Sequence, residues 1–320
     1  MDGTAGGILP TVGFGTASIG NLYTPVSETE AQETLEQAWA SGIRYFDTAP
    51  HYGLGLAEQR LGRMLRDLPR GDYLVSTKVG RLLEPNPDFT GDELDTDGFA
   101  VSARLRRRYD YSRDGVLRSL EESLGRLALD RVDLVLVHDP DSHYRQALDE
   151  ALPALAALKA QGVIDAIGVG MNHAGMLVDF IRNADLDAVM IAGRYTLLDQ
   201  DAGRVLLPEA KARGVAVLAA GVFNSGILAT PTLTADAHYD YAAASDDLIQ
   251  KARRIAAVCA EHGATLPQAA LHFPSTHPAT RTVVLSAASA AQLRANSELL
   301  AQPVPAALWT DLQKAGLITL

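Results

Sequence analysis

The sequence predicts a (β/α)8 barrel. Three observations carry that reading: short β-branched runs alternate with amphipathic stretches along the chain, eight such units follow one another, and most connections between them are short. At 320 residues the chain is long enough for one large barrel, and we read residues 1–320 as a single domain. An open doubly wound sheet is the alternative, and it usually carries a Gly-x-Gly-x-x-Gly loop after its first strand. Here Gly13-Phe14-Gly15 is followed by Thr16-Ala17-Ser18, with no third glycine at the required offset.

The elements are expected in this order. A first strand lies near 13–16, and a helix follows over 28–40, opened by the capping-box pair Ser27 and Glu30 and closed by Gly42. Strand two is 44–46 and its helix 57–68; strand three is 73–77. A helix beginning after Asp114 leads to strand four at 132–137, and an alanine-rich helix over 146–161 leads to strand five at 166–169. Strands six, seven and eight are 188–191, 215–219 and 282–284. One connection is anomalous: Gly80 to Asp114, about thirty-five residues, where most loops are far shorter, so a functional lid or a disordered segment is expected. Its basic run, Arg104, Arg106, Arg107 and Arg108, reads as a solvated face.

Composition narrows the function. The net charge of −11 argues against nucleic-acid or anionic-membrane partners. The longest apolar stretch, around Gly214 to Phe223, is about half the length a bilayer span requires. Met1 to Leu9 shows no basic cluster followed by an apolar run, so no signal peptide is read there. The single cysteine, Cys259, lies in an apolar helical run, which excludes an intramolecular disulfide and favours a reducing, cytoplasmic setting. The eight histidines show no metal-ligand spacing, and no metal site is expected.

In a (β/α)8 barrel the active site forms where strands end and loops begin. Strand two is followed by Asp47, strand three by Lys78 and strand four by His138, with Tyr52 in the loop after Asp47. Adjacent strands lie roughly 4.8 Å apart, so these side chains converge on one rim. The set is coherent chemically. A phenol titrates too high for easy proton exchange near neutrality, a neighbouring ammonium lowers that value, a carboxylate holds the ammonium in place, and an imidazole can orient a substrate oxygen.

The segment from Gly42 to Gly53, containing Phe46-Asp47-Thr48-Ala49-Pro50-His51-Tyr52-Gly53, resembles the signature of the aldo-keto reductases. Ser76-Thr77-Lys78 and Val137-His138 resemble that family's later motifs, and the likeness runs from about Phe14 to Asn296. A narrower likeness, in Val79-Gly80-Arg81-Leu82-Leu83, His138-Asp139-Pro140-Asp141 and Gly221-Val222-Phe223-Asn224-Ser225, is to the family's aldose dehydrogenase branch. The resemblance implies that Asp47, Tyr52, Lys78 and His138 are catalytic, with Tyr52 the acid/base. It implies oxidation of an L-fucose- or D-arabinose-like aldose at carbon 1 to its lactone. Pyridoxal oxidation, general aldehyde or ketone reduction, and a non-catalytic regulatory barrel are the alternatives.

The resemblance also implies a nicotinamide cofactor held by Gly15, Thr16, Ala17, Asp47, Asn172, Gly221, Phe223, Ser225, Ser286, Ser289, Gln292 and Asn296. Two positions depart from many relatives: Ala192 stands where glutamine is usual, and Ala220 where a tyrosine stacks on the nicotinamide, which points to Phe223 for that contact. Residues 286–293 carry no cation for a ribose phosphate, so NAD is expected over NADP. Substrate contacts are expected from His51, Tyr52, His138, Asp139 and Tyr23. A Schiff-base aldolase with Lys78 as nucleophile is the competing enzyme class. Oligomeric state is not readable from one chain.

Overall fold

The computed structural model describes residues 9–233, 237–240 and 242–320, so most of the Met1 to Leu9 segment lies outside the described residues. In chain order the elements are β1 (Val12–Gly15), α1 (Glu28–Ala40), β2 (Tyr45–Asp47), α2 (Leu56–Leu65), β3 (Leu74–Val79), β4 (Arg81–Pro85), β5 (Leu105–Tyr109), α3 (Arg113–Leu127) and β6 (Leu134–His138). There follow α4 (Tyr144–Gln146), running through a π turn into α5 (Leu152–Ala160), then β7 (Ala166–Met171), α6 (Ala174–Asn183), β8 (Ala188–Ala192), α7 (Asp201–Arg213) and β9 (Ala216–Ala220). The chain ends with β10 (His238–Tyr239), β11 (Ala242–Ala243), α8 (Asp246–Glu261), α9 (Leu266–His272), β12 (Thr280–Leu285), α10 (Ala290–Ala301) and α11 (Ala306–Lys314).

Eight parallel strands close in the order β1-β12-β9-β8-β7-β6-β3-β2, the barrel that the alternation predicts. The expected strands are all present within a residue or two of their expected ends, and the Ser27–Glu30 capping box opens α1. No described helix is long and apolar enough to cross a membrane.

Strand alternation decides which side chains face the barrel axis. Tyr45, Leu134, Leu136, Met190, Leu218 and Val284 pack together inside the barrel, whereas Phe46, Val75, Val135 and Val189 join the larger core between sheet and helices. Residues two positions on from the inward set share its face. Asp47 follows Tyr45, His138 follows Leu136, Ala192 follows Met190, and Ala220 follows Leu218. The period of two therefore delivers these residues to the carboxyl end of the barrel, pointing into its mouth.

The long connection after β3 is not a structureless loop, and it covers the mouth as a lid would. It is an antiparallel hairpin, β4 on β5, with Arg81 opposite Tyr109 and Glu84 opposite Arg106. Gly80 makes the entry possible: its φ is +105°, and a Cβ there would fall 2.2 Å from the Tyr111 ring. The chain between the two strands reaches back to the loop after β1. Leu22 bridges Phe99, Tyr23 N–H donates to Gly98 O at 2.8 Å, and Ala100 N–H donates to Asn21 O at 2.8 Å. The two loops together roof the mouth. Beneath them the buried Arg60 guanidinium donates to Ile19 O, Asn21 Oδ1, Val26 O and Glu28, which holds the β1 loop in shape.

The arginine run is only partly the solvated face expected. Arg104 and Arg106 are exposed. Arg107 is buried against Asp95 and Asp97 and donates to His51 O at 2.9 Å, and Arg108 pairs with Glu84 and Asp110. Alternation on the hairpin turns one arginine inward because its acidic partners come from the same excursion.

Candidate active site

Four side chains meet at the end of β2, β3 and β6. Lys78 is only 2% exposed. Its ammonium donates to Asp47 Oδ2 at 2.6 Å, Thr48 O at 3.0 Å and Tyr52 Oη at 3.0 Å. An ammonium has three protons and no acceptor, so all of Lys78's capacity is used. It follows that Tyr52 Oη accepts from Lys78 and that the phenol's own proton is directed elsewhere, toward the cavity that Tyr52 lines.

Behind this pair the polarity is equally determined. Ser76 Oγ donates to Asp47 Oδ1 at 2.7 Å, because a carboxylate only accepts. With its single proton spent there, Ser76 must accept from Tyr45 Oη at 2.7 Å. A directed chain therefore runs Tyr45 to Ser76 to Asp47, with Lys78 donating to Asp47 from the other side. Tyr45 and Ser76 lie within the quoted motifs, but sequence reasoning gave them no role; their inward parity on β2 and β3 is the signal that could have found them.

Burial pushes the Tyr52 phenol above its ordinary value, with the Lys78 ammonium opposing and the Asp47 charge adding to the rise. The expected lowering by the ammonium is real in sign but outweighed, because removing a phenolate from water costs more than one neighbouring cation returns. For Lys78, burial alone would favour the neutral amine, but Asp47 and Tyr52 outweigh it and raise its value. A protonated amine with every donor engaged cannot attack a carbonyl, so the Schiff-base reading of Lys78 has no support here.

His138 stands edge-on to Tyr52, ring centroids 5.9 Å apart, and His51 stands edge-on to His138 at 5.6 Å. Phe99 closes over His51 at 5.1 Å. Burial first, then Arg81, Lys78 and neighbouring positive groups, hold His138 well below the usual imidazole range. Burial with Arg81, Arg107 and Lys78 pushes His51 down to about 2. Both rings are neutral in the fold. Asp139 Oδ2 lies 3.5 Å from His138 Nε2, which favours the tautomer with its proton on that nitrogen.

Neutral buried histidines have a consequence for stability. The unfolded chain binds protons on both rings below about pH 6.5, and the folded chain does not. Their contribution is therefore complete above that pH and declines as pH falls through it, by up to about 1.4 kcal/mol per pH unit for each ring. Urea unfolding between pH 7 and pH 5 should show this slope, and His51→Asn should make it shallower by about one histidine's share. An unchanged slope in the variant would mean that His51 is not held neutral.

These groups line a cavity of about 510 Å³. A second compartment of about 460 Å³ continues outward along the ends of β8, β9 and β12, and Leu22, Asn172, Ala192, Gly221 and Ser286 line both. Gly15, Ala17, Asp47 and Asn172 line the inner chamber, while Phe223, Ser225 and Gln292 line the outer groove. His51, Tyr52, His138 and Asp139 line the inner chamber as expected.

Several positions differ from the expectation. Tyr23 lies in the outer groove, carried past Leu22 by its backbone bond to Gly98, and so does not face the catalytic cluster. Phe223 belongs to the outer groove alone, whereas Ala220 reaches the inner chamber, so Phe223 is poorly placed to cover a ring beside Tyr52. Thr16 is fully buried behind the wall, its N–H donating to Asp47 O. Ser289 lines neither compartment because its hydroxyl caps α10, accepting from Gln292 N–H, and Asn296 lies further along α10, outside both linings. Sequence reasoning assigned no role to Arg81, Leu22 and Phe99, which the hairpin and the β1 loop bring to the chamber.

The family model described as aldo/keto reductase matches residues 11–316. D-threo-aldose 1-dehydrogenase of a Pseudomonas species is 46% identical, over 98% of this chain and 96% of that protein. Pyridoxal 4-dehydrogenase of Microbacterium luteolum is 40% identical, over 99% and 97%. Among solved structures, the holo form of an aldo-keto reductase from Bacillus halodurans superposes with a TM-score of 0.73 at 24% identity, covering 96% of this chain and 92% of that one, a likeness of fold.

Proposed function

Since the chain belongs to the aldo/keto reductase family, an oxidoreductase family that uses nicotinamide cofactors, we propose that it oxidises a neutral aldose at carbon 1 to the lactone, with NAD. One observation carries the substrate reading. Among the described residues, every charged group lining the inner chamber is paired within the protein: Asp47 with Lys78, Arg81 with Asp139, and Asp97 with Arg107. Such a chamber offers a charged substrate no free counter-ion, but presents many hydrogen-bonding groups to an uncharged polyol. The relative at 46% identity, named for an aldose, supports the same reading.

The residues fit a dinucleotide. The cleft has two joined compartments, and small side chains, Ala192 and Ala220, leave flat room beside Tyr52 and Met190. In the outer groove Asn224 is 5% exposed and its Oδ1 has no partner among the described residues, an acceptor left for a ligand's donor. Asn172, Gly221, Ser225, Ser286 and Gln292 would hold the cofactor. When bound, a nicotinamide supplies the acceptor for the hydride that leaves carbon 1. The protein's part is the proton: His138 Nε2–H orients the carbon 1 oxygen, the Lys78 ammonium stabilises Tyr52 as the phenolate, and that phenolate takes the carbon 1 hydroxyl proton and becomes the neutral phenol.

The NAD preference rests on the outer groove. Among the described residues lining it the one cation, Arg194, is tied to Asp240 at 2.8 Å, and Arg294 pairs instead with Gln37 at 3.0 Å. A ribose phosphate would find no free charge partner. A spectrophotometric screen of L-fucose, D-arabinose and pyridoxal with NAD and NADP, beside plain aldehydes with NADH and NADPH, tests both statements. Aldose oxidation with NAD should be fastest, by about tenfold or more over NADP, and Ala288→Arg should narrow that gap. Faster turnover of plain aldehydes than of any aldose would overturn the substrate reading.

A further inference from the structure

We infer that Asp139, held by Arg81, reads the hydroxyl on the carbon next to the reacting one and so sets preference among aldoses. The inference rests on the aldose reading and deepens it.

Asp139 directly follows His138 and takes a left-handed conformation, φ +41°. The turn is pinned through its backbone. Asp139 N–H donates to Gly170 O at 2.9 Å, and Tyr111 Oη donates to His138 O at 2.6 Å and Asp139 O at 2.9 Å. The carboxylate is therefore not needed to hold the turn, and it remains 32% exposed in the chamber. Its Oδ2 accepts from Arg81, and among the described residues no hydrogen bond ends on Oδ1. Arg81 is 8% exposed and lines the same chamber, and its Nε has no partner. A carboxylate with one oxygen held by a buried guanidinium and the other without a partner is a fork with one tine fixed and the other free to accept.

Chemistry then selects what the fork can address. The carbon 1 oxygen sits between Tyr52 and His138, and Asp139 Oδ2 is 3.5 Å from His138 Nε2. A cyclic aldose has two neighbours to carbon 1: the ring oxygen, which only accepts, and carbon 2, whose hydroxyl both donates and accepts. A carboxylate only accepts, so it cannot pair with the ring oxygen. The favourable orientation places the carbon 2 hydroxyl on Asp139 Oδ1, while Arg81 holds Oδ2. Leaving that fork unmatched strands buried polar groups, which is how a hydrogen-bonding site rejects the analogue lacking a hydroxyl.

The test is a two-by-two comparison of kcat/KM with NAD. Wild type and Asp139→Asn are each assayed on the best aldose and on its 2-deoxy counterpart. Asparagine tolerates the left-handed backbone, so the turn is kept. Wild type should disfavour the deoxy sugar by about 10- to 100-fold, the range of a charge-assisted hydrogen bond. Asp139→Asn should lose a larger factor on the parent aldose than on the deoxy sugar, whose smaller loss reports only the carboxylate's effect on His138. Equal loss on both sugars, or a wild type that oxidises both equally well, overturns the inference. The second outcome needs no variant and so does not depend on its folding. If wild type oxidises no aldose at all, the substrate reading fails first and this inference with it.

Discussion

Tyr52→Phe should lower kcat for aldose oxidation by about 10²- to 10⁴-fold, the usual worth of a positioned acid/base, while the dissociation constant for NAD changes little. The substitution removes one oxygen. That oxygen accepts from Lys78 at 3.0 Å and carries the phenolic proton that lies beside His138 in the chamber. Lys78 keeps its bonds to Asp47 and Thr48, so the buried charge pair survives and the fold should tolerate the change. Because the phenol lies above its ordinary value, wild-type oxidation should rise with pH through the alkaline range as the phenolate becomes populated, and the variant's residual rate should lose that rise. Fluorescence titration with NAD beside steady-state kinetics separates the two effects. Retained turnover in the variant would remove Tyr52 from the chemistry, whereas lost turnover with intact binding would exclude a regulatory barrel.

How much of this was legible in the sequence depends on the range of the interaction. Strand period and strand ends are local, and they placed Asp47, Lys78 and His138 at the mouth of a barrel before any coordinates. The same parity put Ser76 and Tyr45 behind Asp47, but a serine and a tyrosine inside strands carry no compositional mark, so their part in the chain to Asp47 was not seen. The hairpin was illegible for a different reason. Its strands, β4 and β5, pair across a connection that itself docks on the β1 loop, and no short turn motif joins them. Arg107 was therefore read with its sequence neighbours as solvated, although Asp95 and Asp97 bury it beside His51. Arg81 stood in a quoted motif without a role until the hairpin set it against Asp139. The Tyr52 phenol shows the limit most clearly: the neighbouring cation can be read from sequence, but the depth of burial that outweighs it cannot.

Lys78→Met should be the most damaging single change to both stability and rate. Asp47 is 2% exposed, and its charge is answered by one ammonium at 2.6 Å. Removing the cation leaves a buried carboxylate to which, among the described residues, only the Ser76 hydroxyl donates, and breaking one side of such a pair costs about 3–5 kcal/mol. Thr48 O also loses its donor from Lys78. Adding Asp47→Asn removes the stranded charge while leaving a side-chain oxygen for Ser76, so the double variant should be more stable than Lys78→Met alone, even though it carries one more substitution. Both should be catalytically crippled, because neither holds a positive charge beside Tyr52. Equilibrium urea unfolding of the two variants and wild type decides the matter. If Lys78→Met falls within about 1 kcal/mol of wild type, well below that cost, or if the double variant is the weaker of the two, then the carboxylate is not the buried, lysine-dependent charge on which the geometry of Tyr52 relies.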